Sequence, residues 1–350
     1  MPMPAHARVP LAAALIIAGV TGAGAAAFAY TAGWLSPGRL TPNKILDALD
    51  PNPALGHRRN HAKGICFAGT FEANGNGAEI SRAPMLAAGT YPALGRFNLG
   101  TPDPDAADAT VRVRGLSLQI TSPDGAVWRA AMIDPPFFPV STPEGFYELQ
   151  KASKSKDPGA MGALALRHPE VTPFFAWAST APYTTSYAQN RFNSLDAFIA
   201  TDTAGTTRAV RWSYVPQAAA TPVGAQALAA LGPDHLETEI AARVAAAPQR
   251  WTLEFTLAAP GDPTNDPSKA WPAGRRTIAA GTLVVRATQP ERDGPCRDIN
   301  FDPTLLPDGL AVSDDPIPAA RSAAYARSYD LRAAEAQDYP RHLNTGSAAR

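Results

Sequence analysis

Apolar residues recur at every second position in short runs bounded by Gly, Pro and Asp along most of the chain. RWTLEFTLA puts Trp251, Leu253, Phe255 and Leu257 on one face, RAVRWSYV does the same with Val210, Trp212 and Tyr214, and GTLVVRAT with Leu283, Val285 and Ala287. This period predicts strands with one buried face. In TVRVRGLSLQIT, Val111 and Val113 alternate in one phase and Leu116, Leu118 and Ile120 in the other, with Gly115 at the change. A glycine at a phase shift predicts a β-bulge, a device of curled or closed sheets. Gly64–Ala73 (GICFAGTFEA) reads as a further strand.

Helical signals are fewer and lie mostly towards the end. In DHLETEIAARVAAAP, Asp234 is placed as N-cap with Glu237 three positions on, Leu236, Ile240 and Val244 form a stripe, and Pro248 stops the helix. The run from Pro318 to Gln337 is Ala-rich with no internal glycine and predicts a long helix. The pattern as a whole is α+β: a curved antiparallel sheet, closed into a β-barrel, with flanking helices.

The N-terminus follows a different rule. An uncharged run from Val9 to Gly38 follows His6 and Arg8, and about 20 apolar residues suffice to cross a bilayer. Residues 1–34 are therefore expected to be a membrane anchor or a signal segment, with AFA at Ala27–Ala29 resembling a cleavage site. Either reading carries the body, residues 35–340, to the periplasmic or extracytoplasmic face of the inner membrane, with the charged start left inside. Residues 341–350 are expected to be a tail.

Composition narrows the chemistry. The 31 basic and 31 acidic residues balance, so no basic surplus points to nucleic acid. The 35 prolines and 27 glycines show no period, which fits a loop-rich globular fold and excludes collagen. Cys66 and Cys296 are too few for a disulfide framework or a thiolate zinc site; pairing in an oxidising compartment and free buried thiols both remain open. The six histidines fall in no metal-ligand spacing, and GxSxG, Walker and GxGxxG motifs are absent.

Two local arrangements carry more. In RRNHAKG, Arg58 precedes His61 and a strand follows; in RSAAYARSY, Arg321 and Tyr325 share a helical face, and Tyr329 continues it. On spacing alone, a surface turn and an exposed cation beside a half-buried aromatic are the favoured explanations.

Taken in order, however, RRNHAKGICFAGTFEANG, GRFN at Gly95–Asn98, VRGLSLQITSPDGAVW, DPPFF at Asp134–Phe138, DINFDPTLLPDGL and R-x-x-x-Y at Arg321–Tyr325 resemble successive segments of the haem catalases. The short body and N-terminal segment resemble the catalase-related peroxidase branch of that superfamily. The resemblance implies a haem b cofactor, with Tyr325 as axial iron ligand in its phenolate form and Arg321 stabilising that charge. It implies His61 as the acid–base group facing peroxide, Arg58 and Arg96 on the haem propionates, and Phe137 at the pocket or its channel.

Two departures matter. Asn98 replaces the serine that supports the distal histidine. Met132, with Ile133 beside it, stands where full catalases keep an asparagine. Losing that amide weakens dismutation of hydrogen peroxide and favours a peroxidase using an external small-molecule electron donor. A hydroperoxide-rearranging enzyme and a haem-binding sensor without turnover are the alternatives.

Overall fold

The computed structural model describes residues 11–36 and 38–342; the charges at His6 and Arg8 and most of the expected tail lie outside them. The helices are α1 (Leu11–Thr31), α2 (Pro42–Leu49), α3 (Pro143–Ser153), α4 (Ala160–Arg167), α5 (Val171–Thr180), α6 (Ala225–Ala229), α7 (His235–Ala246) and α8 (Pro316–Ala334). The strands are β1 (Gly64–Ala73), β2 (Gly89–Leu99), β3 (Arg114–Thr121), β4 (Val127–Ile133), β5 (Tyr183–Thr184), β6 (Phe192–Asn193), β7 (Phe198–Thr201), β8 (Thr207–Pro216), β9 (Pro222–Val223), β10 (Gln249–Leu257), β11 (Thr277–Pro290) and β12 (Leu310–Val312).

The pairing order β10-β11-β1-β2-β3-β4-β6-β8 returns to β10 through a β8–β10 ladder, which closes an eight-stranded antiparallel barrel. Strands β7 and β12 extend it from β8, and β5 and β9 form a separate ribbon. Closure leaves no edge on the barrel itself. The interior is packed rather than hollow: Phe97 lies 4.9 Å from Phe67, 5.3 Å from Tyr187 and 5.4 Å from Trp251 between ring centroids. Trp128, Trp212 and Phe255 fill another part of the same core cluster. A ligand site must therefore lie outside the barrel wall.

The strand readings hold at Trp251, Leu253 and Phe255 and at Val210, Trp212 and Tyr214, all buried. In β11, Leu283, Val284 and Val285 are buried in a row and Ala287 is exposed. The reason is a bulge: Ala68 and Gly69 of β1 pair with Ala287 and Val285, leaving Arg286 unopposed. A second bulge in β11 lies opposite Leu253 and Glu254. Gly115 sits at no bulge, because β3 pairs in continuous register with both neighbours. Its glycine has a different cause, the Asn98 side chain packed against it.

Helix α7 starts where expected, yet the Asp234 side chain makes no capping bond. Its carboxylate pairs with Lys63, and Asp108 accepts from the Leu236 N–H at 2.7 Å in its place. Helix α8 begins two residues earlier than expected, at Pro316, with Asp315 as N-cap. None of the residues of α1 is buried, and it is long and apolar enough to cross a membrane.

Candidate active site beside the barrel

Strand alternation builds the first wall. Arg96 and Asn98 are cross-strand partners of Ser117 and Gly115 on β3, which face Ala131 and Ile133 on β4. These residues share the outer face, whereas Phe97, Leu116 and Met132 between them belong to the barrel core. Two glycines make room for the larger side chains. A Cβ at Gly115 would lie 2.2 Å from Asn98 Oδ1, and one at Gly64 would lie 2.5 Å from Arg96 Nη2.

His61 precedes β1 with φ +55°, a left-handed conformation that costs a non-glycine residue about 1 kcal/mol or more. The strain is held from both ends. Arg96 Nη1 donates to the His61 carbonyl at 2.7 Å, and the ring Nδ1 lies 2.6 Å from Asn98 Oδ1. With the amide oxygen accepting from Nδ1–H, Nε2 is left as the free acceptor. Burial, reinforced by Arg96, Arg321 and Arg58 and opposed by the Asn98 bond, lowers the His61 pKa to about 4. The imidazole is thus neutral at ordinary pH and ready to act as a base.

Helix α8 builds the opposite wall. Ile317, Arg321, Ala324, Tyr325, Ser328 and Arg332 recur at helical period and line a cavity of 330 Å³ that also contains His61, Arg58, Arg96 and Asn98. Arg321 Nη2 donates to the Tyr325 hydroxyl at 3.2 Å, and its Nη1 to Asp196 at 2.8 Å. Burial disfavours the charged guanidinium, but Tyr325 and Asp196 outweigh it and raise the Arg321 pKa. Helices α2 and α3 close the side with Ile45, Leu46, Leu49 and Phe146.

One end of the cavity is strongly cationic. Arg58 Nε pairs with Glu291 at 3.0 Å and Arg96 bonds the other carboxylate oxygen of Glu291. Burial opposes ionisation of Glu291, but Arg96 and then Arg58 outweigh it and keep its pKa below the usual range. Arg332 is 7 % exposed, and burial, with Arg58 beside it, lowers its pKa to about 9. Arg58 and Arg332 both donate to the carbonyls of Arg297 and Ile299. Three guanidiniums thus face one carboxylate, and Arg96 Nε is buried without a partner. Such a surplus suits an incoming anion. The loop of carbonyls is tied to the barrel by a Cys66–Cys296 disulfide, which settles the cysteine alternative in favour of pairing.

The structure therefore brings His61, Arg58, Arg96, Arg321 and Tyr325 to one cavity. Phe137 is not among its lining residues; its neighbour Phe138 is. Met132 touches the cavity but belongs to the core cluster, so Ile133, opposite Gly115 and hence beside Asn98, is the residue on the site's own face. Arg332, Glu291 and Asp196 were missed from sequence. Arg332 alone had a signal, two helical turns beyond Tyr325 on the same face.

A family model for catalases matches residues 53–339. The chain is 34% identical over 310 residues to a catalase-related peroxidase of Synechococcus elongatus, covering 86% of this chain and 91% of that one. It is 35% identical over 304 residues to a catalase-related peroxidase of Mycolicibacterium paratuberculosis, covering 84% and 96% respectively. Among solved structures, a bacterial catalase superposes with a TM-score of 0.69 at 18% identity over 83% of this chain, which spans 60% of that catalase's length.

The family match and these relatives make the protein an oxidoreductase that acts on peroxide, and the family implies a haem cofactor. The chain belongs to the catalase family.

Proposed function

We propose that this protein is a haem b peroxidase that reduces hydrogen or organic peroxides with an external small-molecule donor and dismutates hydrogen peroxide weakly or not at all. The balanced reaction is ROOH + 2 AH → ROH + H2O + 2 A•. The observation that carries it is the joint placement of His61 and the Arg321–Tyr325 pair on one cavity.

The residues fit the cofactor by their chemistry. Tyr325 offers an oxygen held beside a guanidinium, the small residues Ser117 and Ala131 leave a flat wall, and Arg58, Arg96 and Arg332 offer cations to the two propionates. When bound, the haem supplies the redox centre that gives electrons to the O–O bond and recovers them from the donor. His61 Nε2 takes a proton from one peroxide oxygen and returns it to the other, so the leaving group departs neutral. Asn98 holds the ring in the tautomer that leaves Nε2 free. Ile133 and Met132 provide no hydrogen bond to orient a second peroxide, which favours the donor route over dismutation. Export fits a disulfide-bearing body behind an apolar N-terminal helix.

The test is reconstitution with ferric protoporphyrin IX, followed by optical spectra before and after peroxide and after a phenolic donor. A spectrum that changes with peroxide and is restored by the donor supports the peroxidase. Tyr325→Phe is expected to bind haem weakly, and His61→Ala to bind it but react with peroxide about 10² to 10⁴ times more slowly. Failure of the wild-type chain to bind haem would remove the reading.

A further inference from the structure

A second cleft, of 590 Å³, lies behind the cationic end of the cavity that holds His61 and Tyr325, and the peroxide chemistry above makes no use of it. Its floor is Ala62, Lys63 and Gly64, the residues that directly follow His61, together with Glu291. The wall between the two cavities is one ion pair thick. Glu291 lines the cleft, while Arg58 and Arg96, which hold its two carboxylate oxygens, line the other cavity. Arg96 also packs directly on the floor, since a Cβ at Gly64 would lie 2.5 Å from its Nη2.

The charges of the floor are matched. Lys63 lies 2.9 Å from Asp108 and 2.7 Å from Asp234, and Glu291 faces the two arginines. The side chains left over are acids. Among the described residues, no hydrogen bond or ion pair holds the carboxyls of Asp105, Glu237 and Asp338, which all line the cleft. Against them stands Arg292, without an acid partner and 4.6 Å over the Tyr339 ring. A cleft with a surplus of one sign draws in ligands of the other. Burial raises the Glu237 carboxyl to about 7, with Lys63 opposing; a cation seated beside it would restore the ionised form.

The cleft also has an aromatic wall. The His57 ring lies 3.9 Å from that of Tyr339 between centroids, a surface on which a further ring can pack. Neither ring nitrogen of His57 bonds a described residue, and burial lowers its pKa below the ordinary value. A neutral imidazole keeps one nitrogen as an acceptor, free to take an O–H or N–H.

We propose that this cleft binds the reducing donor: a cationic aromatic molecule with an oxidisable O–H or N–H, its positive charge on Glu237 and its O–H or N–H on His57. The assignment rests on the peroxidase reading above. Each donor AH gives one electron to the oxidised cofactor across the Glu291 ion pair and one proton to His57, and leaves as A•. Two donors return the two electrons that one peroxide has taken. His57 hands each proton to water at the exposed rim of Asp234 and His342, and water resupplies the protons consumed at the peroxide. Peroxide and donor thus enter by different cavities.

The experiment is a calorimetric titration of the haem-loaded protein, without peroxide, with tyramine beside 4-hydroxyphenylacetate. The two share one phenol and differ in the sign of the side-chain charge. Wild type is expected to bind tyramine at least about tenfold more tightly. Glu237→Gln should weaken tyramine about tenfold, the loss of one charge-assisted hydrogen bond, and Glu237→Lys should reverse the preference. His57→Phe keeps the aromatic wall and should still bind tyramine, yet oxidise it about 10² times more slowly once peroxide is added. Should a variant not fold, the wild-type preference between the two phenols decides by itself. Equal affinity for both phenols, or a tyramine affinity unmoved by either Glu237 substitution, overturns the proposal. Absence of tyramine binding in a protein that oxidises donors removes the cleft and leaves the peroxidase reading standing. Charge-selective binding in a protein that oxidises no donor removes the peroxidase reading, and with it the donor role, while the binding site itself stands.

Discussion

At His61, backbone strain, a hydrogen bond and a cluster of cations converge on one imidazole. Its lowered pKa has a defined consequence for pH dependence. The neutral base is the form present above about pH 4 and is lost as pH falls through that value. The first reaction with peroxide is therefore expected to be flat from neutrality down to about pH 5 and to fall below it, as measured by stopped-flow mixing over a pH series. A decline already centred at the ordinary histidine value would show that His61 is not held neutral as argued. The same shift predicts a stability cost on acidification. The unfolded chain binds a proton at this residue between its ordinary value of 6.5 and about 4 while the folded one does not, so the fold loses stability as pH falls through that window.

Ile133 and Met132 separate at the same scale. They are adjacent in sequence but face opposite sides of β4. Ile133→Asn puts an amide on the site's face and is expected to raise oxygen release from hydrogen peroxide relative to donor oxidation. Met132→Asn puts an unpartnered amide in the barrel core and is expected to cost about 1–3 kcal/mol of stability instead, read by chemical denaturation. Equal effects from the two variants would contradict the strand assignment.

Elements explain why the arginines sit where they do. Cys66 lies on the same face of β1 as Arg96 on its partner strand β2, and its disulfide reaches Cys296 in the loop whose carbonyls hold Arg58 and Arg332. Cys296→Ser frees that loop from the barrel, and the expected loss is about 2–4 kcal/mol, since the bridge closes a long stretch of chain. Haem should also leave the variant faster, because the cationic end of the cavity loses its framework; transfer to apomyoglobin measures this. An unchanged release rate would mean that the arginines are held without the bridge. The sequence period predicted β8, β10 and the stripe of α7 correctly because each depends on local alternation. It misplaced Ala287, since a bulge in β11 answers to its partner β1 and leaves no local mark. It also misread Gly115, a glycine kept for the Asn98 side chain above it rather than for backbone curvature.

For the molecule as a whole, the closed barrel, the helices beside it and α1 divide the labour. The barrel is solid and serves as a wall, the cavity lies outside it, and α1 buries nothing against the body. A chain starting after residue 34 is therefore expected to fold, bind haem and remain in the soluble fraction, whereas the full chain should sediment with membranes. Loss of haem binding in the truncated form, measured by the absorbance ratio of haem to protein, would show that the N-terminal segment supports the site.

What the sequence determined by itself was the set of elements with strong local period and the ordered motifs that bear His61, Arg58, Arg96, Arg321 and Tyr325. These were legible because alternation and helical spacing act over a few residues, and because the matched segments keep their order along the chain. Barrel closure, the Glu291 bridge between Arg58 and Arg96 and the Cys66–Cys296 bond were decided only by the tertiary structure. Each joins residues far apart in the chain. Burial then sets their charge states, because a group's ionisation depends on which charges and how little water surround it, and that is fixed only when the chain has folded.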